Sequence, residues 1–398
     1  MLAGCGAARA GDRPAVDAAD RPDRALAEGM TDTGLALFKG LPPDRNVVLS
    51  PLGLTLALGI AYTGAAGDTA AEMREALRFP VGPEQLGRRQ GGLFADLVGR
   101  ADRSKDTLAV ANSLWLQEGA ELVEAFLDSA RDNYGATLEH VDYVGQRADA
   151  ARRINDWVDA RTRGRIEEIV EPSTFSALTR MTVLNAVYLD GEWDEPFRAD
   201  ETSDGQFRLT NGDTVSVPMM RTRRDFAVAQ LNGVSAVLLP YRGDLAMLAV
   251  LPPEGPLRAW ERTLAGAFVA DLLAAAMPTP GVSLAFPKFT FATAADLRDD
   301  LIELGMGVAF DEQRADFRRL STEKLLIDDV IHKAWIKVDE KGTQAAAATA
   351  VEFRGVSAPL DSLAFDRPFL FVIVDRPTGT PIFLGRVADP SDEGETAG

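Results

Sequence analysis

Apolar residues recur at helical spacing from Leu26 to Lys39, and Gly40 with Pro42-Pro43 stops that helix. Asn46 to Pro51 reads as a short buried strand feeding a second helix, Leu52 to Tyr62, with Pro51 at the first helical position, where its missing N–H is not needed. Gly67-Asp68-Thr69 opens a third helix, Ala70 to Leu77. Leu108 to Leu116 alternates like a strand, Phe126 to Tyr134 is a short helix, and Ala148 to Arg163 a longer one closed by Gly164. Met181 to Leu189 is almost continuously apolar, the mark of a strand buried on both faces. From Met219 to Leu251 the chain alternates between turn signals, which predicts a β-meander. Ala259 to Ala276 reads as one helix, Leu284 to Phe289 as a strand, Leu297 to Gly305 as a helix, and Lys324 to Asp339 as a strand region. No repeat or long linker divides the chain, and the elements do not alternate as βαβ units. The class is α+β, in a single domain over residues 25–390.

Residues 1–24 are rich in Ala, Gly, Asp, Arg and Pro and read as a disordered tether; residues 391–398 read as a disordered tail. Leu2-Ala3-Gly4-Cys5 matches the bacterial lipobox, in which the cysteine is lipidated. The charged and apolar stretches that should precede a lipobox are absent, so Met1 is read as a start inside a longer signal peptide. The expected location is extracellular or the cell envelope, with Cys5 as the lipidation candidate.

Charge and chemistry narrow the function. Over 398 residues the formal net charge is −18, which argues against nucleic acid or an anionic membrane as partner. Cys5 is the only cysteine, so an intrachain disulfide and a thiolate metal cluster are excluded. Only two histidines occur, His140 and His332, and no Gly-x-Ser-x-Gly elbow, phosphate loop or dinucleotide fingerprint is present. The expectation is no enzyme, no cofactor and no metal.

The stretch Glu340-Lys341-Gly342-Thr343-Gln344-Ala345-Ala346-Ala347-Ala348-Thr349-Ala350-Val351 is unusual. Alanine runs favour helix, yet this one follows a glycine and joins two strand-like segments. In extended form one face carries Thr343, Ala345, Ala347 and Thr349, and the other Gln344, Ala346, Ala348 and Ala350. Such small faces could slide between two existing strands. The segment from Glu340 to Ala347 resembles the reactive-loop hinge of the serpins, and Phe365-Asp366-Arg367-Pro368-Phe369 with Phe383-Leu384-Gly385-Arg386-Val387 resembles that family's C-terminal motifs. Asn46 with Ser50-Pro51, Gly64-Ala65-Ala66-Gly67-Asp68-Thr69, and Gly191-Glu192-Trp193 with Pro196-Phe197 and then Thr202 and Phe207 fit the same pattern, so the resemblance spans Leu26 to Pro390.

The resemblance implies the serpin fold, three β-sheets with about nine helices and a reactive loop over about residues 340–360 exposed near the C-terminus. It implies a monomeric suicide-substrate inhibitor of serine proteases: the protease cuts the loop, stays attached as an acyl-enzyme, and the cut loop enters the central sheet. The family's usual loop length from Glu340 ends at Val356. This makes Val356–Ser357 the reactive bond, suited to an elastase-like protease, with Arg354 and a trypsin-like protease as the alternative. The hinge residues are Glu340, Gly342, Thr343, Ala345, Ala346, Ala347 and Ala348. Ser50, Asn185 and His332 match a polar set beneath the main sheet, in which Gly53 replaces the family's second serine. Lys288 matches a salt-bridge partner of Glu340, and Trp193 packs nearby. A non-inhibitory chaperone, carrier or storage serpin is the competing reading, disfavoured by the intact small-residue hinge. No glycosaminoglycan site is evident, since Arg88-Arg89 to Lys105 is diluted by acids.

Overall fold

The computed structural model describes residues 23–104, 107–343 and 362–397. The N-terminal half runs α1 (Arg24–Gly40), β1 (Val47–Leu49), α2 (Pro51–Gly64), α3 (Gly67–Ala76), α4 (Pro83–Ser104), β2 (Thr107–Gln117), α5 (Glu124–Tyr134), β3 (Thr137–Val141), α6 (Arg147–Arg161) and β4 (Met181–Glu192). Then come β5 (Ser203–Arg208), β6 (Thr214–Leu231), β7 (Val234–Pro240), β8 (Leu245–Leu251), α7 (Leu257–Glu261), α8 (Ala267–Ala275), β9 (Met277–Pro287), β10 (Phe289–Asp296) and α9 (Arg298–Glu303). The chain closes with β11 (Asp329–Val338), β12 (Gly342–Thr343), β13 (Ser362–Ala364), β14 (Phe369–Asp375), β15 (Pro381–Val387) and β16 (Glu395–Ala397).

The strands form a nine-stranded sheet, in the order β1-β15-β14-β8-β7-β6-β9-β13 with β5 on β6, and a seven-stranded sheet, β16-β10-β11-β4-β2-β3 with β12 on β4. Two of the three expected sheets are joined into the first network by the long β6. Its beginning pairs with β5 and its end with β7, and the register shifts between Arg224 and Phe226 on the way.

Helix α2 sits between the sheets, touching β4 and β2 on one side and β15 on the other. Leu52, Leu54, Leu56, Leu58 and Ile60 are all buried, as an apolar helix with no solvent face requires. Ser50 caps it, its side chain accepting from the Gly53 N–H, with Pro51 at the first position. Across the seven-stranded sheet, Ala150, Ala151, Ile154 and Val158 of α6 pack on Trp115, Leu184, Ala186 and Ile331. This double cover explains why β4 is buried on both faces.

Four expectations change. The helix expected over 259–276 is two, α7 and α8, because Glu261 turns inward to form a fully buried pair with Arg386 (2.8 Å), and Gly266 caps back onto Asp32. The strand expected over 284–289 is the junction of β9 and β10, where Lys288 carries the chain from one sheet to the other. The tail expected to be disordered forms β16, running parallel to β10 with Thr293 opposite Thr396, because β10 otherwise presents a free edge. At the other end, α1 starts at Arg24, inside the expected tether, and Asp23 pairs with Arg89.

Candidate functional site

The site begins where β4 and β11 part. They pair in parallel from Asp329↔Thr182 to Ala334↔Val187, and no further. Beyond that point β4 continues to Glu192 and β11 to Val338, leaving a fork. A tight turn over Glu340 and Lys341 reverses the chain, closed by the Asp339 N–H on the Gly342 carbonyl at 3.0 Å and the reverse bond at 3.3 Å. β12 then returns into the fork antiparallel to β4, Gly342 opposite Glu192 and Thr343 opposite Gly191. Gly342 is required twice over. Its φ of +151° lies outside the range comfortable for other residues, and any Cβ there would strike the Gly191 carbonyl.

Trp193 pins the turn. It is 1% exposed, its main-chain N–H donates to the Lys341 carbonyl at 2.9 Å and its indole N–H to the Asp339 carbonyl at 3.0 Å. Tyr241 stacks on it at 4.6 Å and exchanges a 2.6 Å hydrogen bond with the buried hydroxyl of Thr343. The Phe197 N–H donates to the Glu340 carbonyl at 2.7 Å. The Glu340 carboxylate meets Lys288 at 2.9 Å and accepts from the Thr202 hydroxyl at 2.9 Å. Partial burial pushes this carboxyl up, but the bonds from Lys288 and Thr202 outweigh it and hold it below the usual range.

A second, polar cluster lies deeper, where the strands are still paired. His332 and Asn185 are Cα partners, and their side chains meet at 2.7 Å between Nδ1 and Oδ1. The Ser50 N–H donates to His332 Nε2 at 3.2 Å, so that nitrogen accepts and Nδ1 carries the proton. The Ser50 hydroxyl donates to the Ile382 carbonyl at 2.6 Å, while its oxygen accepts from the Gly53 N–H at 3.0 Å. His332 is thus joined to α2, β4 and, through Ser50, the nine-stranded sheet. Burial alone pushes its pKa down to about 3, so it is neutral at physiological pH.

Gly53 does not leave a gap in this cluster. A Cβ there would lie 2.5 Å from Asn185 Nδ2 and 2.6 Å from Val187 Cγ2. The Asn185 amide instead donates across the sheet to Asn112 Oδ1 at 2.6 Å. Asn112, Tyr241 and Thr202 were not read from the sequence as members of the site. Asn112 is a polar residue inside an alternating strand and Thr202 falls within the family pattern, the signals available; Tyr241 gave none, since only the tertiary fold brings it to the turn.

Of the residues expected at the site, Glu340, Gly342, Thr343, Trp193 and Lys288 assemble at the fork, and Ser50, Asn185 and His332 at the deeper cluster. Ala345, Ala346, Ala347, Ala348, Arg354, Val356, Ser357 and Cys5 lie outside the described residues. Among the described residues no group of three or more acidic, histidine or cysteine side chains could hold a metal, and no helix is long and apolar enough to cross a membrane.

A family model described as Serpin (serine protease inhibitor) matches residues 28–390. An uncharacterized serpin-like protein of Thermococcus kodakarensis is 40% identical over 365 residues, covering 89% of this chain and 84% of that protein. Plasminogen activator inhibitor 1 of Sus scrofa is 32% identical over 373 residues, covering 90% and 91%. Among solved structures, the thermophilic serpin tengpin in its native state superposes with a TM-score of 0.84 at 29% identity, over 92% of this chain and 95% of that one. Human thyroxine-binding globulin complexed with thyroxine gives 0.84 at 25% identity, over 93% and 100%.

Proposed function

From a chain that belongs to the serpin family, we propose a suicide-substrate inhibitor of serine proteases, whose cut loop adds as a strand to the seven-stranded sheet between β4 and β11. The observation that carries this reading is β12: the first residues of the hinge already pair antiparallel with β4 inside the fork. Continuing that register six residues past Thr343 sets Thr349 opposite Asn185. Thr343, Ala345 and Ala347 would then share the face of Leu189 and Val187, which point into the core. Gln344, Ala346 and Ala348 would lie beneath α6. Both faces of the incoming strand end buried, which is why alanine serves at the four positions from Ala345 to Ala348.

Entry must separate the six residue pairs from Asp329↔Thr182 to Ala334↔Val187, among them His332 and Asn185. The polar cluster is therefore a latch, and the native state is held kinetically until the loop is cut. The protease acyl-enzyme would be carried with the loop along the sheet. The reactive bond of this reading is Val356–Ser357, for an elastase-like protease with a small apolar pocket, and Arg354 is the alternative for a trypsin-like one. The same reading puts the protein outside the cytoplasm, secreted or held by lipid on Cys5.

The test mixes the chain with pancreatic elastase and, separately, with trypsin. An SDS-resistant complex and a released peptide beginning at Ser357 are expected with elastase, and Val356→Arg should transfer inhibition to trypsin. Cleavage without a complex would refute inhibition and favour a carrier or chaperone.

A further inference from the structure

Immediately past the last paired residues of β4 and β11 stand Tyr188 and Trp335, both on the face that α6 covers. Alternation puts Tyr188 with Ala186, and Trp335 packs on the cluster that Ala186 forms with Val158 and Ile166. Their ring centroids are 6.0 Å apart across the fork. A third group joins them from outside the sheet: the Arg165 guanidinium lies over the Trp335 ring at 5.5 Å. The Tyr188 hydroxyl also interacts with Arg165 and with Asp190 further along β4.

Arg165 is itself well anchored. Just past α6, Arg163 and Gly164 both take left-handed backbone, at φ +55° and +74°, and the Gly164 N–H closes the helix end on the Asp159 carbonyl at 3.0 Å. The Arg165 N–H donates to the Thr162 carbonyl at 3.1 Å, and the next residue, Ile166, is buried and donates to the Thr162 hydroxyl. The guanidinium thus ties the segment that follows α6 to both prongs of the fork.

We propose that Arg165, Trp335 and Tyr188 form a clasp across the mouth of the fork that sets how fast a strand can enter the sheet. This rests on the insertion reading above. A strand between β4 and β11 moves them to about 9.6 Å apart, two sheet spacings. That separation draws the two rings out of the range of about 4.5–7 Å in which aromatic pairs attract, and it strips one ring of its cation. The clasp lies ahead of the His332–Asn185 latch along the path of entry, so it opens first. Arg165, Trp335 and Tyr188 act as positioning residues; none touches the protease.

The test follows insertion after the loop is cut. Full-length protein is cleaved within residues 344–361 by elastase or trypsin. The change in tryptophan emission gives the rate, since Trp193 and Trp335 flank the entry path, and the rise in thermal midpoint shows that the strand has gone in. Arg165→Ala should insert about 2- to 5-fold faster, the range of a lost cation–π contact from an exposed arginine. Arg165→Lys should retain most of the wild-type rate. Arg161→Ala removes an equally close cation, 5.3 Å over Trp157, from the last residue of α6 and not from a ring of the fork, and should leave the rate unchanged. An unchanged rate in Arg165→Ala, or equal acceleration in Arg161→Ala, overturns the clasp. A wild-type chain that is cut without any rise in midpoint overturns the insertion reading itself, and gives flat traces in every variant.

Discussion

Lowering the pH from 7.5 to 5 offers His332 a proton that the folded chain will not take. The ring is 1% exposed, with one nitrogen accepting from Ser50 and the other donating to Asn185, and burial pushes its pKa down to about 3 from an ordinary 6.5. The unfolded chain binds the proton below about 6.5 and the folded chain does not, so stability is full above that pH and falls as the pH drops towards 3. At about 1.4 kcal/mol per unit the loss at pH 5 is about 2 kcal/mol. Asp329, at the far end of the same ladder, works the other way. Burial, with Asp296 and Asp328 nearby, raises its pKa to about 7, so the folded chain keeps a proton that the unfolded one releases above about 4. The charged form is disfavoured at pH 7.5, and acidification relieves it. The two slopes oppose each other between about pH 6.5 and 4, and the wild-type profile alone says little. The informative quantity is a difference between chains. His332→Gln keeps a donor and an acceptor but takes up no proton. Relative to wild type it should gain about 2 kcal/mol on going from pH 7.5 to 5, measured by urea titration followed by near-ultraviolet circular dichroism. A double difference near zero would refute a neutral, fully desolvated His332.

Further outcomes follow from single contacts. Gly53→Ala puts a Cβ 2.5 Å from the Asn185 amide, so it should destabilise by about 1–3 kcal/mol through overpacking and lower the calorimetric midpoint. Lys288→Ala removes a pair whose side chains are 36% and 15% exposed, and should cost only about 0–1 kcal/mol, less in high salt. Thr343→Arg places a charge at a site 1% exposed against Tyr241; on the proposed mechanism the protease should cut this variant yet form no stable complex on SDS gels.

What the sequence reveals of this molecule follows how locally each feature is encoded. α2 and β4 are legible because their burial is written in continuous apolar runs, and the start of α2 in Ser50-Pro51. α4, which composition did not predict, runs unbroken through Gly87, Gly91 and Gly92, residues that read as breakers. Gly91 is there because the α5 backbone at Asn133 passes too close for any side chain. The membership of Ser50, Asn185 and His332 in one cluster came from family resemblance alone, since nothing local links residues that far apart. Asn112 was out of reach because its partnership depends on the β2–β4 register, which sets it directly opposite Asn185.

The β4–β11 seam is held at separate levels, each weak by itself: the Glu340–Lys288 pair and Trp193 at the turn, the Tyr188–Trp335 contact at the mouth, and the His332–Asn185 bond in the paired region. None is expected to exceed a few kcal/mol, on the order of 1 kcal/mol for a typical net hydrogen bond. An entering strand meets them in sequence, and each residue that enters forms antiparallel bonds to β4 and β11 in place of the one parallel ladder between them. The barrier is therefore greatest at the outset, when little new ladder has formed to offset what is broken. Loosening the mouth should change the rate of entry more than loosening the seam near Asp329, the last pair to part.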